Sequence, residues 1–332
     1  MAPSQRAYLL SRRSFCWTLV GVVIAPDIAF AQGSKVVRRI GFLDAGAPDT
    51  PELNWSQAEP LRKLGWVEGQ NLHVERRYDN GRSEALQALA EELVRANVEI
   101  IVTGSTVATS AAKRATTTIP IVFSTGDPVL LGLVASLARP GGNLTGVSEA
   151  GPELTAKHLS LLKELLPRLE RIGVLSRAGD PYNRATRGQF AHGCQLLGIA
   201  PIFVEISAKG EIGGAIAKLV RQRAQALVLL NSVRDQQFEI VDAAMNHRLP
   251  TLTEDPETVR KAGALIGYDT TREELFRLRA EYIDRILRGA RPAELPVQQP
   301  KKFELVINLR TARALGLTIP KELLLLADEV IQ

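Results

Sequence analysis

Residues 117–148 read TTIPIVFSTGDPVLLGLVASLARPGGNLTGVS and contain one complete strand-turn-helix-turn-strand step. A Pro-led apolar run, Ile119 to Phe123, ends in the polar turn Ser124-Thr125-Gly126-Asp127-Pro128. The apolar spacing beyond it predicts a short helix over Pro128 to Leu137, and a Gly-rich turn then leads to a second strand, Leu144 to Val147. In an open parallel sheet, ligands sit outside the carboxyl ends of the strands, and the turn Thr125 to Pro128 lies at such an end. Gly126 permits close backbone approach, Asp127 can cap the helix and Pro128 suits its first turn. A helix start with no ligand accounts for the same residues equally well, so the rest of the chain has to decide.

Working outward, the same alternation recurs on both sides. Upstream, strands are expected near Arg39 to Leu43, Leu72 to Arg76 and Ile100 to Thr103, with helices over Glu52 to Leu64, Ser83 to Ala96 and Ser105 to Ala115. Leu86, Leu89, Ala90, Leu93 and Val94 show the three- and four-residue recurrence of a helix with one buried face. After Gly151-Pro152 a second series follows, with strands near Arg171 to Leu175, Ile202 to Ile206, Leu227 to Leu230, Pro250 to Thr253 and Leu265 to Tyr268. Helices are expected between them, then a long helix Thr271 to Leu287, a Pro-marked stretch to Pro300, a strand Glu304 to Asn308 and a helical tail. Such alternation implies βαβ units and parallel sheets. Ile119-Pro120, opening a strand that ends at Asp127-Pro128, is echoed by Leu249-Pro250 and Asp255-Pro256, with a spacing that differs by two residues. Two doubly wound lobes are the economical reading.

Hydrophobic residues make up 45% of the 332 and charged residues 23%, an ordinary globular composition with ample material for cores. Residues 1–31 have the organisation of an export signal, with Arg6 and Arg12-Arg13 preceding the apolar run Phe15 to Ala25 and a small-x-small site at Ala29-Phe30-Ala31. Ser11-Arg12-Arg13-Ser14-Phe15 is similar to the twin-arginine motif, although paired arginines also occur in ordinary signals. The apolar run is shorter than the ~20 residues of a membrane span, so no membrane insertion of the mature chain is expected. Arg6, Arg12 and Arg13 less Asp27 supply +2 of the formal +5, which leaves about +3 after cleavage and no electrostatic case for nucleic acid. Cys16 leaves with the signal; Cys194 then lacks a disulfide partner and is expected to be a small buried hydrophobe in the helix around Phe190 to Leu197.

Several stretches resemble, in collinear order, the periplasmic substrate-binding proteins of a large group of ABC importers that includes aromatic amino-acid binders. They are Ile40-Gly41-Phe42-Leu43, Gly65 to Asn71, Thr117 to Val129, Gly132 to Ser136, Arg139 to Ser148 and Pro300 to Leu317. The resemblance implies a type I periplasmic-binding-protein fold: two Rossmann-like parallel-sheet lobes, a hinge crossed three times by the chain, and a ligand held between the lobes. On that pattern residues 35–148 and 266–295 form the first lobe and residues 149–265 and 296–332 the second. Ser148, Ile266 and Leu295 mark the hinge. The resemblance also implies a periplasmic monomer working with an inner-membrane permease, without a cofactor.

Facing strand ends would then line the cleft. In the first lobe these are Asp44-Ala45-Gly46, Ser105-Thr106 and Thr125-Gly126-Asp127; hydroxyls and open N–H groups at helix starts suit an anionic group such as a carboxylate. Simple N-capping is the competing role for Ser105 and Thr106. In the second lobe the candidates are Arg177, Tyr182, Asn231, Glu254, Tyr268 and Asp269. Arg177 replaces a small polar residue of the family pattern and would favour a carboxylate if it faced the cleft, whereas Asp44, Asp255 or Asp269 would favour an amine. Tyr182 and Tyr268 are candidates for stacking on a flat ligand. The sequence contains no nucleophile elbow, phosphate-binding loop or dinucleotide fingerprint. Its four histidines, His73, His158, His192 and His247, are scattered without metal-ligand spacing. The expected function is an exported solute-binding protein that captures a small ligand, an amino acid or other small carboxylate, for an ABC importer. The alternatives are a ligand sensor for a membrane receptor and an enzyme on the same scaffold.

Overall fold

The structure, a computed structural model, describes residues 37–46, 58–149 and 152–332. The expected export signal and the start of the helix predicted from Glu52 lie outside the described residues.

The first lobe is built from β1 (Arg38–Asp44), α1 (Ala58–Lys63), β2 (Leu72–Tyr78), α2 (Leu86–Arg95), β3 (Ile100–Thr103), α3 (Thr106–Ala115), β4 (Ile121–Thr125) and β5 (Leu144–Ser148). Its five strands are all parallel in the order β2-β1-β3-β4-β5. The second series is α4 (Pro152–Leu165), β6 (Arg171–Arg177), α5 (Pro181–Leu196), β7 (Ala200–Ile206), α6 (Ile212–Arg221), β8 (Ala226–Leu229), α7 (Gln237–Asn246), β9 (Thr251–Thr253), α8 (Pro256–Ala262) and β10 (Ile266–Thr270). After it come α9 (Arg272–Leu287), β11 (Phe303–Asn308), α10 (Leu309–Leu315), α11 (Lys321–Leu326) and β12 (Glu329–Ile331). The second sheet runs β12-β11-β10-β9-β8-β6-β7, parallel except where β11 meets β10. Within it, β7-β6-β8-β9-β10 repeats the order of the first sheet, and the Pro…Asp-Pro echo falls on β4 and β9, which occupy equivalent places.

Apolar side chains cover both faces of each sheet. In the first lobe Leu86, Leu93 and Ala111 pack on one face, while Leu278, Tyr282 and Ile283 of α9 pack with Ile40, Ile100 and Val122 on the other. In the second lobe Leu161, Phe190 and Cys194 lie on one face and Ile216, Leu219 and Ile240 on the other. Cys194 is therefore the small buried hydrophobe expected of it.

Three expectations are corrected. Ile266 is not the return to the first lobe: it pairs with Leu252 of β9 and Ile307 of β11, deep in the second sheet. The return is made at α9, whose apolar face completes the first lobe. The third crossing lies beyond Leu295, because Val297 packs in the first lobe's core and Gln298 bonds Ser148 N–H (2.9 Å) and Gly146 O (3.0 Å). Finally, residues 128–137 form successive turns instead of a helix. Gly132 at φ +65° ends the helical run after one turn, and Leu133 and Val134 reach the core from that irregular segment.

Candidate binding site between the lobes

A cavity of about 120 Å³ lies between the carboxyl ends of the two sheets. From the first lobe it is lined by Asp44, Ala45 and Gly46 at the end of β1, Ser105 and Thr106 at the start of α3, and Thr125 and Gly126 at the end of β4. The second lobe contributes Arg177 at the end of β6, Tyr182 in α5, Asn231 after β8, Glu254 after β9 and Asp269 in β10. In each sheet the strand order reverses between the first and third strands of its series, and β1, β3, β6 and β8 all deliver residues here, as expected for a topological switch point. The lobes meet across the cavity: a Cβ built on Gly126 would stand 2.2 Å from the Tyr182 ring. Only glycine allows this approach.

Asp127 and Tyr268 are not part of the lining. Asp127 Oδ1 accepts the N–H groups of Val129 and Leu130 at 3.0 Å each and so caps the turn that follows. Tyr268 stacks on Phe303 with ring centres 5.7 Å apart and packs against the core on the other side of its strand. Arg177 does face the cavity, but its guanidinium is engaged inside its own lobe. Nε donates to Ser232 O at 2.9 Å and Nη2 pairs with Asp235. Glu149, Arg234 and Asp235 also line the cavity and were not anticipated. Glu149 follows β5 directly, a strand end like the others; Arg234 and Asp235 follow the expected Asn231 in one short 3-10 turn.

The sequence matches the ABC transporter substrate binding protein family over residues 57–331. The chain belongs to that family. A tyrosine-binding protein of Clostridioides difficile is 27% identical over 259 residues, 77% of this chain and 74% of that protein. Among solved structures, a conserved domain protein of Vibrio cholerae superposes with a TM-score of 0.83 at 27% identity, covering 89% of this chain and 99% of that one. A Streptococcus pneumoniae ABC domain in complex with L-Trp does so at 0.81, with 23% identity and coverage of 89% and 100%. The architecture is the type I periplasmic-binding-protein fold. The family is one of substrate-binding proteins, and among the described residues no helix is long and apolar enough to cross a membrane.

The charges in this substrate-binding protein's cavity divide into two groups. On the first-lobe side, loss of water raises the Asp44 carboxyl; the Arg234 and Arg279 guanidinium groups pull it back. Glu149 is likewise raised by burial and held down by Arg234 and Arg279. Arg279 projects from α9 and is 4% exposed; burial lowers it to about 10, so it remains a cation at neutral pH. Two carboxylates are thus set against two guanidinium groups. Gly104 permits this packing, since a Cβ there would meet Asp44 Oδ2 at 2.4 Å. Ser105 occupies the N-cap of α3 without a side-chain cap bond, while Thr106 and Thr125 share a hydroxyl hydrogen bond of 2.6 Å.

On the second-lobe side the balance is different. Glu254 and Asp269 are each 4% exposed, and among the described residues neither forms an ion pair. Burial, with Glu149 adding, raises Glu254 to about 7. Asp269 is pushed well above the usual carboxylate range by burial and by Glu254. Asn231 binds both: its N–H donates to Glu254 Oε2 (2.8 Å) and its Nδ2 to Asp269 Oδ2 (3.3 Å). The Tyr182 phenol is raised by burial and by these same two acids.

Proposed function

We propose that the protein is exported and captures a small amino acid-like ligand between its lobes for delivery to an ABC importer. The observation that carries this reading is the cavity itself, which is walled by strand ends from both sheets and closed over by Tyr182 lying on Gly126. A ligand there touches both lobes, so its binding favours the closed arrangement by its differential affinity for that state. The crossings near Ser148, between β10 and α9, and beyond Gln298 are the segments where the rotation would be absorbed. The tyrosine and tryptophan of the named relatives support an amino acid as the ligand class. The open start of α3, with Ser105 not closing its own cap, suits the carboxylate. Export rests on the organisation of residues 1–31.

Mass spectrometry of small molecules released from freshly purified protein identifies the ligand. Stripped protein supplied with it at one hundred times its Kd should gain ~2.7 kcal/mol of stability. That corresponds to a melting rise of roughly 5 °C or more at ~2–4 °C per kcal/mol. A stripped sample whose midpoint is unmoved by amino acids and by its own released compounds would defeat the reading.

A further inference from the structure

Among the cavity's polar groups, the end formed by Glu254, Asp269 and Asn231 is distinctive because it contains acceptors without a cation. Asn231 Oδ1 is buried and has no hydrogen-bond partner. Its backbone N–H already donates to Glu254 and its Nδ2 to Asp269. Glu254 and Asp269 face the same space from adjacent strand ends; burial and then Glu254 raise Asp269's affinity for a proton, and burial, with Glu149 adding, raises that of Glu254. Glu149 approaches from the first crossing and Tyr182 from α5, so no neighbour named here neutralises the pair. Asp255, next in sequence to Glu254, is committed to Arg272 at 2.7 Å. At the other end, Asp44 and Glu149 have Arg234 and Arg279.

We propose that Glu254, Asp269 and Asn231 Oδ1 form an ammonium subsite, and that the protein therefore selects ligands carrying a protonated amine over otherwise identical carboxylic acids. The inference rests on the amino acid reading above and specifies which part of the ligand the second lobe holds. An ammonium group has three N–H donors, and this wall offers two carboxylates and one amide oxygen as acceptors. Burying acids is unfavourable unless an opposite charge accompanies them; the occupant supplies it. A ligand without a cation would leave both acids without a counter-ion. A metal ion is a weaker fit, because among the described residues no group of three or more His, Cys, Asp or Glu is arranged to hold one.

Calorimetric titration of the stripped full-length mature chain tests this with matched probes. These are L-tyrosine, L-tryptophan, L-leucine and L-aspartate, each against the acid lacking its amine: hydroxyphenylpropionate, indolepropionate, isocaproate and succinate. At least one amino acid should bind, with its deaminated partner weaker by about 30-fold or more, the loss expected when one member of a buried charge pair is removed. Glu254→Gln and Asp269→Asn should each weaken that amino acid by about tenfold or more without lowering the melting midpoint of the empty protein. A deaminated acid binding as tightly as its amino acid overturns the ammonium subsite and leaves the binding-protein reading standing. So does unchanged affinity in both variants. Absence of binding by every amino acid defeats the amino acid reading and this inference with it.

Discussion

Replacing Glu254 by Gln should make the empty protein more stable at alkaline pH while weakening ligand binding. Glu254 is 4% exposed, and burial is the main reason its carboxyl is raised from 4.5 to about 7. Below about pH 4.5 the group is protonated whether the chain is folded or not, and it makes no pH-dependent difference. Between about 4.5 and 7 the unfolded chain has released the proton and the folded chain still holds it, so stability falls as pH rises. Above about 7 the loss is complete. At ~1.4 kcal/mol per pH unit, that interval amounts to about 3 kcal/mol. Glutamine carries no charge at any pH and keeps an oxygen for the Asn231 N–H, now 2.8 Å from Glu254. With ~2–4 °C per kcal/mol, the variant should melt roughly 6 °C or more above the wild type at about pH 8.5. The two should converge towards pH 4.5. Differential scanning calorimetry across this range reads both; titrating groups remote from Glu254 are common to the two proteins and cancel, and Asp269, which Glu254 raises, shifts in the same stabilising direction when that charge is removed. A variant melting at or below the wild type at pH 8.5 would refute the reasoning, since it would mean that the folded protein already neutralises this carboxylate. Greater stability with poorer binding is the expected trade at a site kept strained for its ligand.

Three further outcomes follow from the geometry. Gly126→Ala places a methyl 2.2 Å from the Tyr182 ring; it should hold the lobes apart, enlarge the radius of gyration by small-angle scattering and weaken binding by about tenfold or more, whereas an unchanged radius and affinity would show that the ring simply moves aside. Asp127→Ala removes two capping bonds at 3.0 Å from a turn outside the cavity; urea unfolding should show a loss of ~1 kcal/mol with affinity unaltered, and a binding defect would return Asp127 to the site. His158 lies fully buried and must donate from Nε2 to the Tyr268 carbonyl at 2.7 Å, an acceptor only. Burial lowers it from 6.5 to about 4, so wild-type stability attributable to it is present above pH 6.5 and lost as pH falls towards 4; His158→Gln should flatten that limb, and an identical pH profile would disprove the assignment.

The parts of the fold legible in the sequence are those set by local periodicity. The expected strand Ile100 to Thr103 matches the observed one to the residue, and the other expected strands lie within a few residues of their observed bounds, because buried parallel strands are short apolar runs bounded by turn residues; β12 falls instead in the stretch expected as a helical tail. The pattern Leu130, Leu131, Leu133, Val134 and Leu137 had the spacing of a helix, yet local spacing does not encode the positive φ of Gly132, which turns the segment before a second helical turn can form. Long-range placement was also hidden. Whether β10 returns to the first sheet depends on pairing with β11, closed through a strand almost forty residues later, and no residue within Ile266 to Thr270 carries that information.

The site divides along the same line. Residues at strand ends could be named because the topology rule selects them, and the rule does reach Asp44, Ser105, Thr125, Arg177, Asn231, Glu254 and Asp269. It does not say which way a side chain turns. Gly126 and Asp127 are neighbours, yet one admits Tyr182 across the cleft and the other turns back to cap its own loop. Arg177 looked like the cation that would choose the ligand; its guanidinium is held by Ser232 and Asp235, and the cations that bear on the cavity's other acids are Arg234 and Arg279. Arg279 belongs to a helix that the chain supplies to the first lobe only after completing β10, so its proximity to Asp44 is a consequence of the second crossing. Charge compensation in this cleft is therefore set by chain topology: α9 carries a guanidinium to the first lobe's acids and nothing equivalent to Glu254 and Asp269. That asymmetry is what leaves one end of the cavity to be neutralised by its ligand.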